Sequence, residues 1–217
     1  MRFLTPAPLA CVIFSLLAAF PAAARVGETQ EEFERRLLQP FVGKFIPREK
    51  NPDPAKEEEM LRQQPFNEAR AHFPAGTRER KYWKSAVPNM LSNENGWRLH
   101  VFFQDNRSVL EAYQRVGDSL SEFEIQNILN ANRGSSEWSK VEPDSLEAKA
   151  SAIGCDYQLG DGTLRARVVG GWLLVYTVRL DAYVKEQIRI LEETRASQQA
   201  EKLRNQQIAA PGSTSGF

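Results

Sequence analysis

The sequence predicts an α+β protein: two helix-plus-antiparallel-sheet units in tandem, followed by an extended C-terminal helix. Three observations predict it. Two capping boxes, Thr29 with Glu32 and Ser121 with Glu124, each precede an apolar stripe at helical spacing. Short segments rich in Trp, Val, Leu and Phe recur between Gly and Asn turn signals. From Asp181 to Ala210 no Gly or Pro occurs, and Glu, Gln, Lys, Arg and Ala dominate.

The 217-residue chain opens with Met1-Arg2, an apolar run from Leu9 to Phe20 broken only by Ser15, and then Pro21-Ala22-Ala23-Ala24-Arg25. This pattern predicts a signal peptide over residues 1–24 and an exported protein, periplasmic or secreted. The run is shorter than the roughly 20 residues a spanning helix needs, and Pro21 interrupts it. No second run of that length follows, so no integral membrane segment is expected in the mature chain. Residues 1–24 contain Arg2 and Cys11, so 28 basic and 28 acidic groups become 27 and 28, a net charge of −1. That balance argues against a nucleic acid or an anionic membrane surface as partner. Cys155 is then the one remaining cysteine, so a packed core, not a disulfide framework, must supply stability.

The first unit spans residues 25–117. Phe33 and Leu37 lie on one face of its helix. The interval 39–95 carries Pro40, Pro47, Pro52, Pro54, Pro65, Pro74 and Pro88 and reads as an ordered insertion. Within it Lys56–Gln64 suits a short polar helix and Arg78–Lys84 an extra strand. Gly96-Trp97 opens a strand with Trp97, Leu99, Val101 and Phe103 on one face; Arg98, His100 and Gln104 lie on the other, with Phe102 the exception. A two-residue turn at Asp105-Asn106 would pair Val101 with Leu110 and Leu99 with Ala112, leaving His100 facing Glu111 outside.

The second unit spans residues 118–180. Leu120 can staple Ile125, while Ile125, Ile128 and Leu129 form the buried stripe and Asn132-Arg133-Gly134 ends the helix. Three strands are expected, Ala150–Gln158, Thr163–Val169 and Trp172–Arg179, joined by Gly160-Asp161-Gly162 and Gly170-Gly171. Aligning Gly96 with Gly171 matches Trp97 with Trp172, Leu99 with Leu174 and Val101 with Tyr176. Aligning Thr29 with Ser121 matches Phe33 with Ile125 and Leu37 with Leu129. Both alignments suggest an internal repeat. In the charged helix, 181–210, Val184, Ile188 and Leu191 form a stripe that Arg195, Gln198 and Lys202 discontinue. Its first turns should therefore dock and the rest should enter solvent. The seam is too short for a sustained coiled coil. Residues 211–217 read as a disordered tail.

Chemistry is thinly supplied. Cys155 with His72 or His100 is the conceivable nucleophile–base pair, but Cys155 sits mid-strand between Gly154 and Asp156, where a small core or edge residue belongs. Glu31-Glu32 and Glu57-Glu58-Glu59 suit helix starts and solvent faces. Asp161 between two glycines is a hairpin position without the further acids of a calcium loop. HExxH, paired CxxC, P-loop, GxGxxG and GxSxG motifs are missing. No catalytic, cofactor-binding or metal-ligating set is assigned. The basic stretch Arg78–Lys84, with Tyr82 and Trp83, could stack on single-stranded nucleic acid. An edge strand blunted by Lys and Arg fits a charge-balanced exported chain better. Trp97, Trp172 and Tyr176 are assigned to the core.

The segment Val26-Gly27-Glu28-Thr29-Gln30-Glu31-Glu32-Phe33 resembles the opening of the small outer-membrane assembly lipoproteins of the SmpA/OmlA type. The resemblance implies the helix-plus-antiparallel-sheet fold that those proteins share with the beta-lactamase inhibitor protein, in which two such units stand in tandem. The chain departs from the lipoproteins in lacking a lipidated cysteine, in its Pro-rich insertion and in its charged C-terminal helix. The expected function is that of an exported, non-enzymatic protein that binds another protein through its sheet face or loops. The alternatives are an exported hydrolase or small-ligand-binding protein with a cleft between the units, and a structural protein that self-associates through its C-terminal helix.

Overall fold

The computed structural model describes residues 26–37, 46–47, 64–85 and 96–209. The expected signal peptide, the Glu57-Glu58-Glu59 cluster with most of its short helix, and the 211–217 tail lie outside the described residues. In chain order the elements are α1 (Gln30–Leu37), β1 (Ile46–Pro47), α2 (Asn67–Arg70), β2 (Arg78–Ser85), β3 (Gly96–Gln104), β4 (Arg107–Val116) and α3 (Glu122–Ala131). There follow β5 (Trp138–Lys140), α4 (Leu146–Ala150), β6 (Tyr157–Leu159), β7 (Leu164–Val169), β8 (Trp172–Thr177) and α5 (Val178–Ala209).

Both capping boxes form. The Thr29 hydroxyl accepts the Glu32 N–H at 3.2 Å, and the Glu32 carboxylate accepts the Thr29 N–H at 2.9 Å. At Ser121 and Glu124 the same two bonds measure 3.3 and 2.9 Å. Each box satisfies backbone donors that would otherwise face solvent unpaired, and so fixes where its helix begins.

Among the described residues the strands make one antiparallel sheet of eight in the order β1-β2-β3-β4-β8-β7-β6-β5. The chain therefore belongs to the α+β class. Against one face α1 and α3 bury Phe33, Ile125 and Leu129 on Leu99, Val101, Phe103, Leu173 and Val175. Against the other, Phe66 at the start of α2, Ala69 within it, Ile153, and Leu180 and Val184 of α5 cover Phe102, Leu110, Trp172, Leu174 and Tyr176. Asn132, fully buried, ties the start of the first helical segment to the end of α3: its Oδ1 accepts the Val26 N–H at 3.0 Å, and its Nδ2 donates to the Ile128 carbonyl at 2.9 Å.

Four expectations need correction. The Asp105-Asn106 turn forms, with φ of 48° and 63°, but a bulge between Phe102 and Phe103 shifts the register by one residue. Val101 consequently pairs with Glu111, Leu99 with Tyr113 and His100 with Ala112, and His100 is buried on the second face instead of lying outside. The Arg78–Lys84 segment is a strand, but the two-residue β1 pairs with it at Tyr82 and Trp83, so among the described residues it is an edge along Arg78–Lys81 and not at those two positions. The Gly96–Gly171 alignment fails as well. It matches β3, third from one edge, with β8, fourth from the other, and Trp97 packs on the first face while Trp172 packs on the second. Finally, the expected strand 150–158 contracts to β6. Residues 151–156 form an irregular segment instead, and β5 and α4 precede it where no elements were expected.

Candidate functional site

The most chemically furnished region lies where the 151–156 segment meets the start of α5. Ser145 caps α4, its hydroxyl accepting the Ala148 N–H at 3.1 Å. Between α4 and Asp156, whose N–H donates to the Ala166 carbonyl of β7 at 2.8 Å, the chain has no strand partner among the described residues, so side chains satisfy its backbone. The Asp181 carboxylate, 1% exposed, accepts the N–H groups of Ala152 and Ile153, both at 2.9 Å, through one oxygen. Its other oxygen accepts Arg165 Nη1 at 2.6 Å. The Tyr176 hydroxyl donates to the Gly154 carbonyl, and Arg167 donates to the carbonyl of Ile153. Asp181 is thus the polar anchor of α5, and every oxygen it owns is engaged.

Cys155 sits in this segment, not mid-strand. Its Sγ donates to the Tyr157 carbonyl at 3.4 Å. Burial pushes the thiol up to about 11, with Arg165 pulling it down and Asp181 adding to the rise, so it stays protonated at neutral pH. The structure does not bring it into contact with His100. The His100 ring instead packs edge-on against Trp172, with centroids 5.3 Å apart, and its Nδ1 lies 2.7 Å from Glu79 Oε1. Arg70 meets the other Glu79 oxygen at 3.0 Å. Desolvation lowers the His100 pKa below its ordinary value, outweighing the pull of Glu79. At Glu79 desolvation acts upward, but the His100 hydrogen bond and the charges of Arg70 and Lys81 hold the carboxyl below its usual range. This trio fastens the α2 segment onto the sheet in the manner of a structural clasp.

The remaining sequence candidates are structural too. Asp161 accepts the Thr163 N–H and hydroxyl at 2.9 and 2.6 Å, closing its turn. Glu32 serves its cap and Glu31 pairs with Arg35 on the helix surface. Tyr82 and Trp83 are buried, so the basic strand offers no stacking platform. Trp172 and Tyr176 are core; Trp97 is partly buried against it. Among the described residues no three His, Cys, Asp or Glu side chains converge as a metal set. Among them, too, no helix is long and apolar enough to cross a membrane.

Two surface features stand next to the Asp181 anchor. One is a groove of about 490 Å³ between α4 and α5, floored by Ala150, Ala152, Ala182 and Ile188 and rimmed by Lys149, Lys185 and Arg189 with Glu186 and Glu192. Ser151 also lines it, its hydroxyl accepting the Gly154 N–H at 2.9 Å and meeting the Tyr176 hydroxyl at 3.2 Å. The other is the rest of α5. Ile188 is its last residue packed on the sheet cluster, and residues 192–206 are all exposed. At 1.5 Å per residue, the 21 residues from 189 to 209 project about 30 Å. No family model matches the chain, and neither the curated proteins nor the solved structures contain a match to it.

Sequence reading foresaw the projecting helix, through the break in its apolar stripe at Arg195. It missed Asp181 as an anchor, Asn132 as a tie and Glu79 as the partner of His100. All three depend on residues distant in sequence, and no local spacing signals them.

Proposed function

We propose that this chain is an exported, non-enzymatic protein-binding module whose contact surface is the exposed length of α5 with the adjoining α4–α5 groove. The observation that carries the reading is the projection of α5: 32 residues of helix, of which only the first turns meet the sheet. An isolated helical stretch of that length gains little in water from propensity alone, and its stability in proteins comes from packing. The sheet faces are a poorer candidate than the loops and helices, because buried clusters occupy both. The test places a photo-crosslinking residue at Ile190 or Leu203 of the full chain, with Val184 as the buried control. One discrete crosslinked species at the exposed positions is expected. Equal, diffuse background at all three would end the proposal.

Export belongs to the same reading and rests on the pattern of residues 1–24. A mature chain beginning at Arg25, recovered outside the cytoplasm, is the expected result; an uncleaved chain in the cytoplasm would count against it. The tandem arrangement is likewise proposed here. Its support is that β1–β4 and β5–β8 enter the sheet from opposite edges toward the central β4–β8 pair, with both capped helices on one face. This arrangement also supports the implied likeness to the beta-lactamase inhibitor protein fold. An experimental structure whose two halves fail to superpose strand for strand would remove it.

A further inference from the structure

Beyond its first two turns α5 divides its charge in two. Residues 186–193 hold Glu186, Glu192 and Glu193 against Arg189, a net of −2. Residues 195–204 hold Arg195, Lys202 and Arg204 against Glu201, a net of +2. All eight are exposed. The division does not answer the helix dipole, whose influence is confined to the terminal turns, whereas the acidic block begins two turns inside α5. Nor is it consumed within the helix. Arg189 is taken by Glu186 and Glu193, while Arg195, Lys202 and Arg204 make no ion pair among the described residues.

We infer that α5 pairs antiparallel with α5 of a second copy of this chain. The inference rests on the reading of α5 as a contact surface and names its occupant. Antiparallel pairing lays each acidic block along the partner's basic block. Parallel pairing would set −2 on −2 and +2 on +2, which is unfavourable. The helices would cross in the 194–198 stretch, where Ala196 is short enough for close approach and where Leu203, 54% exposed, lies two turns further on the same side of the helix. The apolar seam is short, so charge carries much of the selectivity and the association responds to salt. Raising salt from 0.1 M to 1 M shortens the screening length from about 10 Å to about 3 Å.

Sedimentation equilibrium of the mature full chain at about 0.1 mM tests this. The mass should be that of a dimer at 0.1 M salt and should fall two-fold at 1 M. E192K/E193K and R195E/K202E/R204E should each sediment as monomers, with helical circular dichroism unchanged. A one-to-one mixture of the two should recover the dimer mass, as should a chain carrying both sets. A wild-type monomer at 0.1 M salt would overturn the inference, and so would either single-block variant dimerising like the wild type. A wild-type monomer whose α5 still yields one crosslinked species with another protein overturns only self-pairing and leaves the binding reading intact.

Discussion

On one face of the sheet the covering helices arrive with their own start signals, and they meet it chiefly through apolar side chains, Phe33 from α1 and Ile125, Ile128 and Leu129 from α3, with the Tyr82 hydroxyl donating to Glu34 of α1 at 2.8 Å. On the other, the covering segments have weaker local signals. α2 is four residues long with no side-chain cap, and α5, although the Thr177 hydroxyl accepts its Leu180 N–H at 3.1 Å, is a polar helix continuing straight from β8. Each of these is held by a buried charge, Glu79 for the α2 segment and Asp181 for α5. The contrast teaches where specificity comes from in this molecule. A capped amphipathic helix has one way to meet a sheet. A helix too short or too polar to carry a sustained apolar stripe has several, and a buried ion pair that must be satisfied selects among them, a role that stability alone does not require.

The largest effect should come from breaking that selection. Asp181→Ala leaves Arg165 buried without its carboxylate and strips two backbone N–H groups of their acceptor. We expect a loss of about 4 kcal/mol in urea unfolding. The double replacement Asp181→Leu with Arg165→Met should recover much of this, since no uncompensated charge remains. If Asp181→Ala cost less than about 1 kcal/mol, the anchor would be decorative and the contrast between the faces would collapse.

On the apolar face, Leu129→Ala should cost about 3 kcal/mol, as expected for emptying a fully buried leucine site. The difference to look for is in salt. The Leu129 loss should be the same at low and high ionic strength, because no charge is involved. A marked salt dependence would mean that α3 is seated by its surface pair with Arg115 and not by its apolar stripe.

How much of this could be read beforehand follows the same division. Thr29, Ser121, Phe33 and Leu129 were legible because caps and helical stripes are local, and local rules govern them. The register of β3 and β4 was not. With both faces buried, Phe102 and Leu110 are as apolar as Val101, so alternation cannot say which residues oppose each other, and the bulge at Phe102 decides. Trp97 and Trp172 looked equivalent because both follow glycine, yet a glycine before a strand marks a turn and says nothing about which face comes next. Segment 151–156 looked like a strand because its residues suit one. What overrides that propensity is Asp181, some 30 positions away, taking the backbone donors a neighbouring strand would have used.

Within that segment Gly154 sharpens the point. Its φ is +99°, and an added Cβ would sit 2.7 Å from the Arg167 side chain, which is itself bonded to the Ile153 carbonyl. Gly154→Ala should cost about 2 kcal/mol, combining backbone strain with displacement of Arg167. Gly162→Ala, with a φ of +72° and open space around it, should cost about half as much. Equal losses at the two sites would show that the Arg167 contact contributes nothing.

The clasp at α2 should appear as a slope against pH. His100 is neutral in the fold because its pKa lies below the ordinary 6.5, so the unfolded chain takes up its proton first and stability declines as pH falls below about 6.5. Glu79, held below 4.5, adds a further decline as acid protonates it. The first decline should vanish in His100→Gln, which keeps a donor for Glu79 and removes the titration, while the second remains. If the wild type kept constant stability from pH 7 to 5, His100 would not be held neutral in the fold.

The smallest effects should be the most informative about whether the halves correspond. Thr29→Ala and Ser121→Ala each delete the acceptor for one backbone N–H at a helix start, and each should cost about 1 kcal/mol. Neither residue contributes apolar area, so any inequality reports what else depends on that helix beginning where it does. The Thr29 turn carries more of the fold: Gly27 N–H bonds the Ser108 carbonyl at 2.9 Å, Ser108 N–H bonds Glu28 at 2.8 Å, and Val26 hangs on Asn132. Among the described residues the Ser121 turn has no such backbone pairing, and the Arg115–Glu124 contact lies beside it. The loss at Thr29 should therefore exceed that at Ser121 by a few tenths of a kcal/mol, and an Asn132→Ala background should bring the two together. If Ser121→Ala proved the costlier in both backgrounds, the tie through Asn132 would not join the first helix to the second, and the halves would share a capping motif without sharing a mechanical role.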